Sequence, residues 1–115
     1  MSDEPESFLP LTPARLHTLA ALSGGELHGY AIMQTVEVSS GGLVRMGPAT
    51  LYGTLKKLVD LGLAEEVDRA PDLDTDQRRR YYRLTGLGER VCLAEADRLA
   101  LLANRTRRNL RPETA

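Results

Sequence analysis

Cysteine, large aromatic side chains and long apolar runs are all scarce in this sequence. Its single cysteine, Cys92, excludes an intramolecular disulfide and fits a reducing, cytoplasmic compartment. There is no tryptophan and only one phenylalanine, so no indole is available to sandwich a planar ligand. No apolar run approaches the roughly 18 residues of a membrane-spanning helix. The acidic start MSDEPESFLP lacks the features of a signal peptide. We therefore expect a cytoplasmic protein without membrane contact.

The usual signatures of enzymes and metal sites are missing as well. The chain has two histidines, no nucleophile elbow and no phosphate-binding loop, so we expect neither an enzyme nor a bound cofactor. Asp72, Asp74 and Asp76 have the alternate spacing of a calcium loop. Gln77 and Arg83 stand where such a loop requires glycine and glutamate, so we expect no metal site.

Positive and negative charges nearly balance overall, but they are separated along the chain. The formal net charge of −1 does not by itself suggest a nucleic-acid partner. Because salt screens charges beyond about 10 Å, a phosphate responds to local clusters and not to the total. Acidic residues gather near the start and again over 65–76. Basic residues gather later, as Arg78, Arg79, Arg80, Arg83, Arg105, Arg107, Arg108 and Arg111. This pattern alone leaves open whether these arginines bind phosphates or only solvate the surface.

Local signals predict two helices in the first forty residues. Thr12 and Pro13 form a typical helix start, an N-cap followed by proline at the first helical position. Apolar residues then recur at helical spacing until Ser-Gly-Gly ends the helix. A second helix is predicted from about His28 to Val38, and a Ser-Ser-Gly-Gly segment follows it.

The third predicted helix follows Gly47-Pro48 and closes at Gly62, and its two faces differ sharply. Leucines at helical spacing form one buried stripe, made of Leu51, Leu55 and Leu58. At about 100° per residue, the opposite face carries small and charged residues, namely Ala49, Gly53, Lys56, Lys57 and Asp60. Thr50 and Tyr52 flank that outer face.

The chain after Gly62 predicts a β-hairpin and then one long helix. Residues 63–67 and 80–84 read as strands around a polar loop, which is the shape called a wing. We predict a mainly α fold with a small β-hairpin, a winged helix-turn-helix with a long C-terminal dimerisation helix. The expected boundaries are a disordered polar tail over 1–10, a DNA-binding domain over 11–85, the dimerisation helix over 86–109 and a tail over 110–115. The expected dimerisation residues are Val91, Leu99 and Leu102.

The outer face of the third helix has the chemistry of a DNA-binding surface. A major groove admits one helix, and lysines there can pair with phosphates or guanine edges. Gly53 removes a side chain and allows a close approach, while the wing arginines can lie against the flanking backbone or minor groove. The predicted DNA-binding residues are Thr50, Tyr52, Gly53, Lys56, Lys57, Arg78, Arg79 and Arg80.

Three ordered motifs also resemble the PadR-like family of transcriptional regulators. Residues 27–32, LHGYAI, resemble its HGY-x-I signature, and residues 49–63 resemble its recognition helix, T-L-Y…L…L…G-L. Residues 79–88, RRYYRLTGLG, resemble the end of its wing. The resemblance implies a homodimeric repressor in the compact branch with one dimerisation helix, acting on a pseudo-palindromic operator. It also implies release from DNA by a small-molecule inducer, for which the residues indicate no site.

One alternative function remains open from the sequence. A winged helix can bind a protein instead of DNA, and it would then present an apolar outer face on its third helix. Gly53, Lys56 and Lys57 argue against such a face, whereas Asp60 does not favour DNA.

Overall fold

The computed structural model describes residues 4–67 and 80–111. A short 3₁₀ turn precedes four helices and three strands, which run in the order Pro5–Phe8 (3₁₀), α1 Pro13–Leu22, β1 Leu27–His28, α2 Gly29–Ser39, α3 Pro48–Asp60, β2 Ala64–Val67, β3 Tyr81–Leu84 and α4 Gly86–Leu110. The predicted fold class is confirmed: three helices precede a hairpin, and one long helix ends the fold. Within the described residues, no helix has the length and apolar character needed to span a membrane.

The hairpin belongs to a three-stranded antiparallel sheet in the order β1-β3-β2. The third strand, β1, was not predicted, because two residues are too few to show an alternating pattern. Leu27 pairs with Tyr82 and His28 pairs with Tyr81. His28 also caps α2, since its Nδ1 atom accepts a hydrogen bond from the Ala31 N–H at 3.2 Å. This residue therefore joins the sheet to the first helix of the helix-turn-helix pair.

The core lies between α1, α2, α3 and the inner face of the sheet. The leucine stripe of α3 is fully buried there, as its spacing predicts. Each such side chain stabilises the fold by about 2 kcal/mol. The other buried apolar residues are Leu19, Ala21, Leu22, Ile32, Val36, Met46, Leu63, Ala64, Tyr82 and Val91. Burying one face of α3 in this way leaves its opposite face to solvent.

The end of α3 and the start of α4 are joined at one turn. Gly62 has a φ of +78°, which glycine adopts without strain, and the Leu63 N–H returns to the Leu58 carbonyl at 2.9 Å. The Thr85 hydroxyl donates to the Gly62 carbonyl at 2.6 Å. A Cβ on Gly88 would lie 1.9 Å from the Leu63 carbonyl oxygen. The first turn of α4 is therefore packed directly on the backbone that ends α3.

The prediction of a disordered tail over 1–10 is wrong for residues 4–10. Residues 5–8 form the 3₁₀ turn, which lies against α4, and Phe8 and Leu9 pack against the core. The polar composition of the first residues predicts a tail. Phe8 and Leu9 are apolar, however, and the core covers them when the chain folds back.

A buried carboxylate holds this N-terminal segment in place. Glu95 on α4 is fully buried, and its Oε2 atom accepts a hydrogen bond from the Leu11 N–H at 2.8 Å. Its Oε1 atom accepts a second bond from the Arg98 guanidinium. The Arg98 hydrogen bond, together with that from Leu11, holds the pKa of Glu95 below its ordinary value although burial acts in the opposite direction.

Candidate nucleic-acid interface

The outer face of α3 is exposed as its helical spacing predicts. Thr50, Gly53, Lys56 and Lys57 are all open to solvent on the side away from the leucine stripe. Asp60 lies on the same side, one turn further along. The structure therefore places these predicted residues of α3 on one accessible surface.

Gly53 has no packing role within the subunit. A Cβ built at this position meets no heavy atom of residues 4–67 or 80–111 within 4 Å. Glycine in a helix interior costs roughly 0.5–1 kcal/mol relative to alanine, so α3 carries this cost at a position where its own fold does not require glycine. This observation fits the prediction of a close approach by a partner.

Tyr52 is both packed and accessible. Its ring lies across the start of α2, where a Cβ on Gly29 would come within 2.4 Å of the Tyr52 hydroxyl oxygen. The side chain nevertheless keeps 47% of its surface exposed. The glycine of the HGY segment and the tyrosine of the TLY segment are thus in contact, which explains sterically why these two residue types occur together here.

A groove of about 290 Å³ separates α3 from the sheet. Lys56 enters it from the helix, beside Tyr52, and Arg80 enters it from the strand side. Among the described residues, the lining consists of Tyr52, Lys56, Val59, Asp60, Glu66, Arg80 and Tyr82. Arg78 and Arg79, the other predicted wing arginines, lie outside the described residues, as does most of the wing loop. Three predicted DNA-binding residues from two separate elements therefore line one groove.

The charges of the described residues that line this groove balance. Lys56 and Arg80 contribute positive charge, while Asp60 and Glu66 contribute negative charge. The Arg80 Nε atom lies 3.7 Å from the Glu66 Oε1 atom. Sequence reasoning missed Glu66, although strand alternation could have placed it on the sheet face that carries its cross-strand partner Tyr82.

Tyr82 forms the floor of the groove and is almost fully buried. Burial raises the pKa of its hydroxyl, and the negative charge of Glu66 raises it further. A nearby Arg80 hydrogen bond acts in the opposite direction without overcoming these effects. The hydroxyl therefore stays protonated at neutral pH, and the floor contributes no negative charge.

On the opposite face of the sheet, Arg83 lies between two carboxylates. Arg83 pairs with Glu65 directly across the strands, with its Nε atom 2.7 Å from the Glu65 Oε1 atom. A second carboxylate, that of Glu26, lies 3.8 Å from the same guanidinium. The arginine run is thus divided between the two faces of the sheet, with Arg80 on the α3 side and Arg83 on the other.

The predicted dimerisation residues differ in accessibility, and one prediction is wrong. Val91 is fully buried in the core of its own subunit, so it cannot reach a partner. Leu99 is half-buried and Leu102 keeps 55% of its surface exposed. Helical periodicity marks an apolar face, but it does not distinguish the subunit's own core from a second chain.

A second groove, of about 440 Å³, lies where α1, β3 and the base of α4 meet. Leu22, Leu84 and Leu93 supply apolar walls, and Glu26 and Glu89 supply carboxylates. Cys92 also lines this groove. Burial raises the pKa of the Cys92 thiol, and the charge of Glu89 raises it further, which disfavours the reactive thiolate.

Comparisons with known sequences agree with this architecture. The profile of the family described as "Transcriptional regulator PadR-like family" matches residues 18–94. The transcriptional regulator Rv3488 of Mycobacterium tuberculosis is 41% identical over 87 residues, which is 76% of this chain and 74% of that protein. An uncharacterized 37.1 kDa protein of transposon TN4556 from Streptomyces fradiae is 37% identical over 92 residues. That match covers 80% of this chain but only 24% of the Streptomyces protein.

Solved structures show the same fold. A PadR family transcription regulator from Clostridium difficile matches with a TM-score of 0.72 and 18% identity, over 86% of this chain and 99% of that one. Bacillus subtilis PadR, solved in complex with operator DNA, matches with a TM-score of 0.62 and 24% identity. This match covers 92% of this chain and 51% of the Bacillus chain. The family profile and the Mycobacterium relative together show that this chain belongs to the PadR-like family of transcriptional regulators.

Proposed function

We propose that this chain is a sequence-specific DNA-binding repressor that acts as a homodimer. The observation that carries the proposal is the groove between α3 and the sheet. It brings Tyr52 and Lys56 of the helix and Arg80 of the wing strand to one accessible side of the molecule. The relative from Bacillus subtilis was solved with its operator DNA, and it has the same fold.

In this proposal α3 enters the major groove and the hairpin lies against the flanking backbone. The helix spans 13 residues, about 20 Å, and its outward face carries small and charged side chains, with the exposed Tyr52 and Val59 at one flank. Lys56 and Lys57 lie about 100° apart around the helix, so they point in different directions from the outward face. Arg80 supplies a third cation on the Lys56 side.

The second half of α4 supplies the dimer contact. Every residue from 100 to 110 is exposed within the single subunit. Three of these are leucines, with exposed fractions of 72% for Leu101, 55% for Leu102 and 78% for Leu110. A helix of this length that carries unburied leucines is stable when a second apolar surface covers them. A second copy of the chain offers the same stripe.

The charges along α4 favour an antiparallel arrangement of the two helices. Its last turns carry Arg105, Arg107 and Arg108, whereas Glu89 and Asp97 lie closer to its start. Antiparallel pairing keeps the arginine-rich ends of the two helices apart, whereas parallel pairing places them together. A symmetric dimer matches a pseudo-palindromic operator with recognition helices roughly 34 Å apart.

Response to a small molecule is the remaining part of the proposal. The groove beside Cys92 has a volume within the usual range of ligand sites, roughly 300–1,000 Å³. It adjoins both β3 of the DNA-binding part and the base of α4. A ligand bound there would shift β3 relative to the base of α4. This shift would change the spacing of the two recognition helices in the dimer.

The central test measures binding to the protein's own upstream DNA by fluorescence anisotropy across a salt series, with a scrambled duplex beside it. Lys56→Gln together with Lys57→Gln should weaken binding and reduce the salt slope by about one unit for each phosphate that the lysines no longer neutralise. Arg90→Gln is the matched control, because it removes an exposed cation from α4, away from the groove. We expect the control to bind like the wild type.

The outcomes separate the two candidate functions. Selective, salt-dependent binding that needs the lysines supports the regulator. An unchanged slope in the lysine variant contradicts the assigned face. If no duplex binds selectively, even after selection from random sequences, the winged helix serves as a protein-binding module instead.

A further inference from the structure

We infer that Glu66 is an intramolecular competitor for the DNA phosphate that Arg80 would bind, and that it thereby lowers the affinity for all DNA sequences. This inference rests on the proposed function. Its basis is the position of a carboxylate inside the groove that opens toward DNA, within 3.7 Å of the wing arginine. A carboxylate offers a guanidinium the same kind of anionic oxygen that a phosphate offers.

The register of the sheet places the two residues together. Glu66 lies directly opposite Tyr82 on β3, and Arg80 lies two residues before Tyr82. Residues two apart in an extended chain share a face, so Arg80, which immediately precedes β3, is a diagonal neighbour of Glu66 on the face toward α3. The Arg80 guanidinium also interacts with the Tyr82 hydroxyl. Among the described residues, therefore, the wing arginine has two partners, in the groove floor and wall, when the protein is free.

The competition follows from the exposure of both groups. The Arg80 and Glu66 side chains keep 72% and 51% of their surfaces exposed, so their pairing contributes little to folding stability. An exposed pair exchanges partners easily, and a phosphate that approaches Arg80 must displace the carboxylate or share the guanidinium with it. Glu66 then remains beside the DNA as an uncompensated charge that recruits a cation from solution.

This arrangement has a functional consequence for a protein of net charge −1. The phosphate term of DNA binding is independent of sequence and dominates non-specific binding. Neutralising one groove cation by a built-in anion weakens that term everywhere along the DNA. The base contacts of α3 then decide a larger part of the total affinity.

The sheet supplies a matched control at the neighbouring position. Glu65 is also a strand glutamate paired with an arginine, but its partner Arg83 lies on the opposite face, away from α3. Glu66→Gln and Glu65→Gln therefore remove the same charge from adjacent residues, and only the first removes it from the groove.

The test compares binding of wild type, Glu66→Gln and Glu65→Gln to two unrelated duplexes of equal length across a salt series. We expect Glu66→Gln to bind both duplexes about threefold more tightly, the range of an exposed ion pair. Its salt slope should steepen by up to about one unit, because no cation is taken up by the carboxylate on binding. Glu65→Gln should bind like the wild type.

A double-mutant cycle shows whether Glu66 acts through Arg80. In an Arg80→Gln background, Glu66→Gln should lose most of its effect, since the competing arginine is gone. A full effect in that background, an equal effect from Glu65→Gln, or no gain in affinity each overturns the inference. A gain confined to one duplex also overturns it, because the carboxylate would then be reading a base.

Failure of the proposed function gives a different pattern. In that case neither the wild type nor any variant shows salt-dependent binding to either duplex. That result removes the competition, and together with a failed selection from random sequences it removes the proposed function as well. Salt-dependent wild-type binding without a gain in Glu66→Gln removes only the competition.

Discussion

The two halves of α4 belong to one continuous helix but have different surroundings. In its first ten residues, Gly88, Val91 and Glu95 are buried against the rest of the subunit. From residue 100 to Leu110 every side chain is exposed. The first half therefore owes its conformation to the core of its own domain. The second half extends past that core, and packing within the subunit does not explain its apolar residues.

The contrast assigns different physical roles to similar residues. Val91 and Leu102 lie on nearly the same side of the helix, three turns apart, yet one is fully buried and the other is 55% exposed. Changes in the first half should act on the stability of the subunit. Changes in the second half should act on assembly and leave the domain folded.

Gly88→Ala should produce the largest effect, a loss of about 3 kcal/mol in the free energy of unfolding. The added Cβ would lie 1.9 Å from the Leu63 carbonyl oxygen, so α4 must move away from the end of α3. Chemical denaturation followed by circular dichroism measures the change.

Gly86→Ala is the control for that variant. Its Cβ would lie 3.6 Å from the flexible Arg90 side chain and should be tolerated. If the two alanines behave alike, the close packing of the α4 base on Leu63 is not a determinant of stability.

Leu102→Glu, in the second half of α4, should disrupt assembly and leave the subunit folded. We expect a monomer with a nearly unchanged DNA-binding domain and weaker DNA binding. Each subunit loses part of the burial of one leucine, which removes roughly 1.5 kcal/mol from the free energy of dimer formation. Because both subunits carry the change, the Kd of the dimer rises more than about a hundredfold. Light scattering gives the mass and circular dichroism the helix content. Ala100→Glu adds the same charge to the same exposed region, about 160° around the helix from Leu102, and should remain dimeric. A persistent dimer in Leu102→Glu would remove the second half of α4 as the interface.

Sequence reasoning succeeds in this chain where the signal is local. Thr12 and Pro13 start α1 as predicted, with the Thr12 hydroxyl accepting from the Arg15 N–H. The leucine stripe of α3 and its end at Gly62 also follow from neighbouring residues. Such features depend on helical period and capping, which a few residues in sequence determine.

The features that sequence reasoning missed all depend on distant contacts. The two-residue strand β1 exists only because β3 lies beside it. The folding back of residues 4–10 depends on Glu95, 84 positions after Leu11. The position of Glu66 beside Arg80 required the hairpin register. No local pattern encodes these pairs. A single sequence therefore predicts which side of a helix or strand is apolar better than it predicts what that side packs against.

Glu95, near the boundary between the two halves of α4, holds the N-terminal segment through the Leu11 N–H. Because its pKa in the folded protein lies below the ordinary value of 4.5, its contribution to stability is complete above about that pH. The contribution is lost as the pH falls through the lower, folded pKa. Glu95→Gln should therefore lower the melting temperature by a few degrees at neutral pH, with the difference from wild type shrinking below about pH 4.5. A pH-independent difference would show that the charge of Glu95 does not stabilise the fold.

The smallest effect should come from Gly53→Ala, and it separates stability from function on α3. Removing a helix-interior glycine should raise the free energy of unfolding by roughly 0.5–1 kcal/mol, because a Cβ meets no atom there. If α3 approaches DNA closely at this residue, the same methyl group should lower DNA affinity. Thermal unfolding and anisotropy on one preparation measure both quantities. A stabilised variant with unchanged affinity would move the closest DNA contact away from Gly53, toward the Lys56 and Arg80 side of the helix.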